Sequence, residues 1–522
     1  MLNTKTTIIL LLISSATLLA QTPSEIRKQK MKEKESEQQI NGEQEKLTPS
    51  QIRAQKEQNQ KSENIFDDND PGFKTIEVPD KWKNESAVIL YQKTNYNYLI
   101  RKESQATNMG SMPQKFLVEE VITRKKIKLL DKASIEAHSE FYYLENGPDY
   151  LDRESSSMGI KIIKANGSKV DVDLKKAVPV TADQMSQKYG IRNVSKDYTY
   201  KKIAVPDLQI GDIIDYFSNS TSLYFYNKQA RPLFAFQPYT LTLNVEYPIV
   251  KQGFNFNIGE DIFFNFNSYN GAPKLVETSV ANSKDKSMSY TLESIDREKN
   301  LHERWTYENI TLPTIKFQAL LVNSDLAEDS KSETKMSLFF VGKTGKVNSL
   351  ITENDIQTVV SRNIDQKNVY NNSHDNSKFT NYLKKRGDVM RFIEKSDEKD
   401  PEKILQLAYY YIRYLNASQS YNYDKFTFTS TMLKICEEYK IKVEVFAAMD
   451  KEYGTIKDVL FLPELTIGVV AHLKGKDIFF STPNDFSIPG DISPEIQGSE
   501  GIIFTPTSLK GELKNKKIVI AD

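Results

Sequence analysis

The chain has 522 residues, enough for about three domains. Lys plus Arg number 70 and Asp plus Glu number 70, so there is no basic excess and a general nucleic-acid binder is not expected. Hydrophobic residues make up 39% and aromatics 11%, which is core material enough to exclude global disorder. The single cysteine excludes an internal disulfide framework and a thiolate-rich zinc site. The histidines, His138, His302, His374 and His472, lie far apart and form no His-x-x-x-His pair. Nothing in the sequence asks for a metal or a cofactor.

At the N-terminus, Lys5 precedes an apolar run from Ile8 to Leu19 and then Ala20-Gln21. A positive start, a short apolar stretch and a small residue at its end predict a signal peptide over 1–20, cleaved after Ala20. The run is too short for a comfortable membrane span. No cysteine lies near the cut, so a lipoprotein anchor is not expected. The mature chain is expected to be exported and soluble. The periplasm is favoured over the cell surface, because 491–522 shows no sorting domain.

Residues 21–75 read as a charged, disordered linker with few aromatics. Within it, the run from Thr22 to Lys30 returns from Thr48 to Lys56 as Thr-Pro-Ser-x-Ile-Arg-x-Gln-Lys. Each copy has Thr as an N-cap, Pro at the first helical position and Glu or Gln at the third, which predicts short transient helices. A second reading makes the copies a repeated docking motif. Asp67, Asp68 and Asp70 resemble the start of a calcium loop, but Gly72 stands where the third ligand belongs. They therefore read as a solvated linker end.

From residue 76 the pattern becomes β-rich. Strands are expected at 86–100, 115–123 and 158–164, the last before an Asn166-Gly167 turn. Tyr200–Tyr216 reads as two strand pieces around Pro206 and Gly211. Alternation continues at 240–247, 261–266 and 288–292, as in an antiparallel sheet with one covered face. Two β-rich domains are expected, over 76–235 and 236–330, with a connecting segment at 331–384.

The texture changes near 380. Asp400-Pro401 starts a helix whose Ile404, Leu407, Ala408, Tyr411 and Leu415 recur at helical spacing. A second helix near 430–440 puts Met432, Ile435, Cys436 and Tyr439 on one face. Strands follow at 443–447, 467–473 and 478–481, the last two joined by a tight turn at Lys474-Gly475. The fold class is therefore α+β and multidomain, with sandwich-like β layers ahead of an α+β domain over 385–490 and a C-terminal segment at 491–522.

Three segments together resemble a bacterial envelope family that joins domain of unknown function 3857 to a transglutaminase-like domain. Lys202–Tyr216 is similar to the closing motif of the first domain. Arg304–Phe317 looks like the exit from its second β layer. The order of elements over 404–483 is similar to the papain-like, transglutaminase core. The resemblance implies a Cys nucleophile at the start of the second helix, a His opening a following strand and an Asp on the next. Those positions fall on Lys425, Thr466 and Ser481. No Cys occurs before 436 and no His between 375 and 471, so a shift of several residues does not restore the triad.

Cys436 is expected in the core rather than at an exposed, electropositive helix start. Asp, Glu and His offer no other obvious triad, and a Ser430–His472 dyad is the remaining catalytic candidate, for a hydrolase or acyl transferase. Among the Tyr-rich residues from 409 to 428, Tyr421, Tyr423, Phe426 and Phe428 are candidates for an aromatic groove taking a peptide or glycan. The sequence thus favours a non-catalytic binding or scaffold protein of the envelope. The alternatives are an enzyme with a non-standard site and a structural subunit of an outer-membrane complex.

Overall fold

A computed structural model describes residues 64–67, 69–107, 110–146, 152–189, 199–225, 233–260, 262–278, 287–301, 307–322, 347–348, 353–364, 376–418, 423–505 and 515–520. The chain divides into two compact units, Met1–Asp67 and Asp68–Asp522. Of the first, only a helical turn at 64–67 is described. The signal peptide, both copies of the repeat and Tyr421 lie outside the described residues.

The second unit is mostly β-strands in several sheets, with helices gathered toward its C-terminal part. Its first sheet opens with two long strands, β1 (Ala87–Thr107) and β2 (Gly110–Leu129), paired antiparallel. A short helix α1 (Lys132–Ala137) follows, then β3 (Glu140–Asn146), β4 (Asp152–Ile163), β5 (Lys169–Asp171) and β6 (Val178–Val180). Helix α2 (Ala182–Tyr189) leads to β7 (Thr199–Ala204) and β8 (Ile213–Phe225). Gly167 (φ +86°) and Gly211 (φ +94°) take the left-handed backbone their turns require.

The strands β9 (Leu233–Ala235), β10 (Tyr239–Thr242) and β12 (Ile262–Tyr269) belong to a second sheet. So do β15 (Thr314–Val322), which follows the one-turn helix α3 (Glu308–Thr311), and β16 (Val347–Asn348). Between them in the chain, β11 (Ile249–Ile258), β13 (Val276–Thr278) and β14 (Met288–Arg297) return to the first sheet. Its order is β13-β14-β11-β1-β2-β8-β4-β3-β7-β6, with β5 beside β4. Strand β11 lies parallel to β1, with Ile89 opposite Ile249. Strands on both sides of residue 235 therefore share one sheet, because β11 finds its partner in β1 rather than in its sequence neighbours. The run at 240–247 is strand only to Thr242.

The two sheets meet over an aromatic core. Tyr96, Phe256 and Phe317 converge within 5.3 Å of one another, and Phe264 and Tyr290 stack beside them. Aromatic rings at alternate positions bury large areas and lock the layers together.

Residues 70–76 form a strap across the outer face of the first sheet. Asp70 accepts hydrogen bonds from Gly72 N (2.9 Å) and the Tyr91 hydroxyl (2.9 Å) and pairs with Lys93 (3.1 Å). The Arg124 guanidinium sits 3.8 Å over the Phe73 ring, and Lys126 Nζ donates to the Phe73 carbonyl at 2.7 Å. A Cβ on Gly72 would collide with the Tyr91 ring at 2.5 Å. Asp70 is thus not part of a solvated linker end: Phe73, three residues on, gives this stretch an apolar anchor.

Among the described residues the C-terminal part has four α-helices, α4 (Glu353–Ile364), α5 (Asn376–Ser396), α6 (Pro401–Ala417) and α7 (Lys425–Glu438). A third sheet follows, from β17 (Val443–Met449), β18 (Leu465–Leu473), β19 (Lys476–Ser481), β20 (Glu500–Phe504) and β21 (Asn515–Val519), in the order β19-β18-β17-β20-β21. Asp400 caps α6 by accepting from Glu402 N at 2.9 Å, with Pro401 in the first turn. The buried stripe of α6 is Ile404, Leu405, Ala408, Tyr409, Ile412 and Leu415; Leu407 and Tyr411 are only half-buried. Asp424 caps α7 through Thr427 N at 2.7 Å. Thr429 and Thr431 are buried in α7 because each hydroxyl donates one turn back, to the Lys425 and Thr427 carbonyls. Lys474 (φ +47°) and Gly475 (φ +85°) make the two-residue hairpin between β18 and β19.

Candidate functional site

Strand periodicity decides where the mapped triad positions point. In β18, Leu465, Ile467, Val469, Ala471 and Leu473 belong to the cores beneath the helices. Val470 belongs to the core on the opposite face, with Phe446, Ala448 and Ile503. Side chains alternate along a strand, so Thr466 and His472 face away from α7. Ser481 pairs with Gly468 and shares that far face. Lys425, Thr466 and Ser481 are therefore not brought together. Moving the register by one residue places Leu465 or Ile467 and Phe480 toward the helices, and these side chains are apolar.

Lys425 opens α7 and is the odd member of that interface. Its Nζ donates to the carbonyls of Leu462 (2.6 Å) and Leu465 (2.7 Å), tying the helix start to the head of β18. Burial pushes its pKa down to about 8, opposed by the charges of Asp450, Asp424 and Glu464. On the far face Thr466 donates to Asp450 Oδ1 at 2.5 Å. Burial raises the Asp450 carboxyl above its ordinary range.

The other sequence candidates separate in the same way. His472 is clamped on the far face, with Nδ1 2.7 Å from Asp477 and Nε2 3.0 Å from Glu444. Ser430 stands on α7, across the sheet, so the structure does not assemble a Ser430–His472 dyad. Cys436 is fully buried, and burial pushes its thiol pKa up to about 12, which makes it a core residue. Tyr423 (1% exposed) donates its hydroxyl to the Lys385 carbonyl at 2.8 Å, and Phe428 is fully buried. Phe426 packs half-buried against the core under α4. Tyr423 and Phe428 thus fill the core, because α6 and α7 close over them, and the described residues form no open aromatic groove there.

An ionic junction that the sequence reading missed joins the second sheet to the third. Lys316 of β15 is 1% exposed and forms an ion pair with Glu464 (3% exposed) at 2.7 Å. Its Nζ also donates to the carbonyls of Tyr453 (2.7 Å) and Asp458 (3.3 Å). Glu464 Oε2 accepts from Leu460 N (2.9 Å) and Phe461 N (3.0 Å). Tyr269 of β12 donates to the Asp458 carbonyl at 2.9 Å, and its ring lies 4.8 Å from Lys316 Nζ. Burial lowers the Lys316 pKa while Glu464 holds it up. A lysine inside the mainly apolar run Ile315–Val322, whose other polar residue is Gln318, was the available signal, since a buried cation requires a partner.

Above this junction lies a cavity of about 510 Å³. Tyr269 at the end of β12, Asn270 after it and Asn309 of α3 line it on one side, and Lys451, Tyr453 and Asp458 between β17 and β18 with Glu500 of β20 on the other. Its volume falls within the roughly 300–1,000 Å³ typical of small-ligand sites, which favour such interfaces.

A family described as a Domain of Unknown Function with solved-structure structure, DUF3857, matches residues 119–298. The chain carries a DUF3857 domain. That match spans β2 to β14 and so crosses residue 235, as the shared sheet does. No curated protein matches the chain. Among solved structures, the chain is similar to one described as a "putative protease" from Parabacteroides distasonis, at 12% identity and a TM-score of 0.43, over 84% of this chain and 72% of that one. A second is the yeast delta-COP-I mu-homology domain complexed with a Dsl1 WxWxV peptide, at 9% identity and a TM-score of 0.13, over 47% of this chain and 77% of that one. At these scores neither likeness assigns an activity. No helix among the described residues is long and apolar enough to cross a membrane.

Proposed function

We propose that the chain is an exported, non-catalytic binding protein of the bacterial envelope, in which the DUF3857 domain precedes a transglutaminase-like domain without its triad. The observation that carries this reading is the state of the α7–sheet interface. The residue mapped to the nucleophile, Lys425, is bonded to two backbone carbonyls, and the strand positions facing the helices are apolar. A nucleophile and its base need mutual hydrogen-bond reach, and Ser430 and His472 stand on opposite sides of the sheet. The ligand, a peptide or glycan, is assigned to the junction cavity, because the groove beside α7 is filled.

The test is titration of the mature chain with short peptides and oligosaccharides, compared with a Tyr453→Ala variant. Tyr453 is half-buried and its ring lines the cavity, so truncation is expected to weaken binding about tenfold or more. Unchanged affinity would remove the cavity from the proposal. Peptide or ester turnover abolished by Ser430→Ala in a stably folded variant would replace the binding reading with the hydrolase one. Fractionation of cells expressing the full chain tests the export: a cytoplasmic, uncleaved product would overturn it.

A further inference from the structure

Resting on that assignment of the cavity, we infer that its ligand is zwitterionic: a short peptide with both termini free. One oxygen of the Asp458 carboxylate, Oδ2, is already engaged, accepting from Thr455 N (2.9 Å) and Thr455 Oγ1 (2.7 Å). Lys316 and Glu464, beneath the cavity, are paired with each other. Asn270 Nδ2 donates to the carbonyls of Asn309 (2.9 Å) and Leu312 (3.1 Å).

Two further charged side chains line the wall, Lys451 and Glu500, one of each sign. Neither side chain has a hydrogen bond or ion pair among the described residues, and they do not pair with each other although they line the same cavity. The two come from different segments, the loop after β17 and the first residue of β20. The Lys451 backbone N–H is bonded to the Glu495 carbonyl at 2.8 Å, which fixes that loop against the segment leading to β20.

Ligand chemistry follows from what each charge needs when water leaves. A neutral glycan would cover both charges and compensate neither with an opposite charge. An anionic ligand would satisfy Lys451 and leave Glu500 desolvated; a cationic one would do the reverse. Unpaired buried charge is costly, whereas a charge-assisted hydrogen bond is stronger than a neutral one. A peptide carboxylate at Lys451 and its α-ammonium at Glu500 satisfy both. The rings of Tyr269 and Tyr453 offer apolar surface for side chains between the termini.

The experiment is calorimetric titration of the full mature chain with a mixture of Ala-X-Ala tripeptides, X spanning the natural residues. The same mixture is run N-acetylated and, separately, C-amidated, beside a neutral N-acetylglucosamine trimer. Free tripeptides are expected to bind, and each cap to weaken binding about tenfold. Glu500→Gln should abolish the discrimination against the acetyl cap, and Lys451→Gln that against the amide. Glu500 is exposed and Lys451 half-buried with no side-chain hydrogen bond among the described residues to lose, so the variants are expected to fold. Capped and free peptides binding equally, with Tyr453→Ala still weakening both, would overturn the zwitterion and keep the cavity. Binding of the trisaccharide alone, lost in Tyr453→Ala, would do the same. No probe responding to Tyr453→Ala would remove the cavity and this inference together.

Discussion

Lys425 concentrates what single residues decide here. Its ammonium bonds two backbone carbonyls, yet burial pushes its pKa from the ordinary 10.5 down to about 8. Between those values the unfolded chain binds more protons than the folded one, so stability rises with pH. The cost of holding the charge is therefore present in full below pH 8 and relieved as pH climbs toward 10.5. We expect the stability difference between wild type and Lys425→Met, from urea unfolding, to shift toward the wild type over that window by up to about 3 kcal/mol, at roughly 1.4 kcal/mol per pKa unit. A difference that stays constant with pH would mean that Lys425 titrates as an ordinary lysine. The family resemblance mapped Lys425 to the position of a thiol, but the sequence did not show that its ammonium is bonded to the loop before β18. That contact joins residues 37 and 40 positions apart.

At the scale of elements, the β17-β18-β19 meander depends on a missing side chain. A Cβ on Gly468 would overlap the Phe480 carbonyl and come within 2.6 Å of the Phe446 ring. The first obstacle is backbone and cannot rotate away. Gly468→Ala is expected to cost about 3 kcal/mol, the upper end of ordinary overpacking. It should also speed hydrogen exchange in β19, because the pairing of Gly468 with Ser481 must open. Wild-type stability and exchange would show that the sheet adjusts locally. Some of the elements were legible, whereas α4, β20 and β21 were not. Apolar spacing and the Asp400-Pro401 cap marked α6, and Lys474-Gly475 marked the hairpin. Less legible was which face of a helix or strand meets which neighbour: Leu407 and Tyr411 have the right spacing, yet the stripe that packs is rotated toward Leu405, Tyr409 and Ile412.

For the molecule as a whole, the Lys316–Glu464 pair is the point where the second and third sheets are pinned. Lys316→Ala strands a buried carboxylate and is expected to cost about 3–5 kcal/mol, read by chemical denaturation. Combining Lys316→Met with Glu464→Gln removes both charges together and should recover most of that loss, since a buried pair is often replaceable by neutral groups. If the double variant is as unstable as Lys316→Ala, packing rather than charge holds the junction. The cavity above depends on the same junction, so a ligand bridging Tyr269 and Tyr453 would stabilise the docked sheets in proportion to its occupancy.

The sequence by itself determined that a β-rich part precedes helices and a last set of strands, the α+β class and the core cysteine. Each of these is carried by local periodicity, capping residues or composition. Tertiary structure decided the rest. It returned β11 to β1 across the β-rich part, turned Thr466, His472 and Ser481 away from α7, closed α6 and α7 over Tyr423 and Phe428, and set Lys316 against Glu464. The physical reason is common to all four. Strand pairing and the burial of charge depend on partners far away in the chain, and a one-residue change of register exchanges the two faces of a strand.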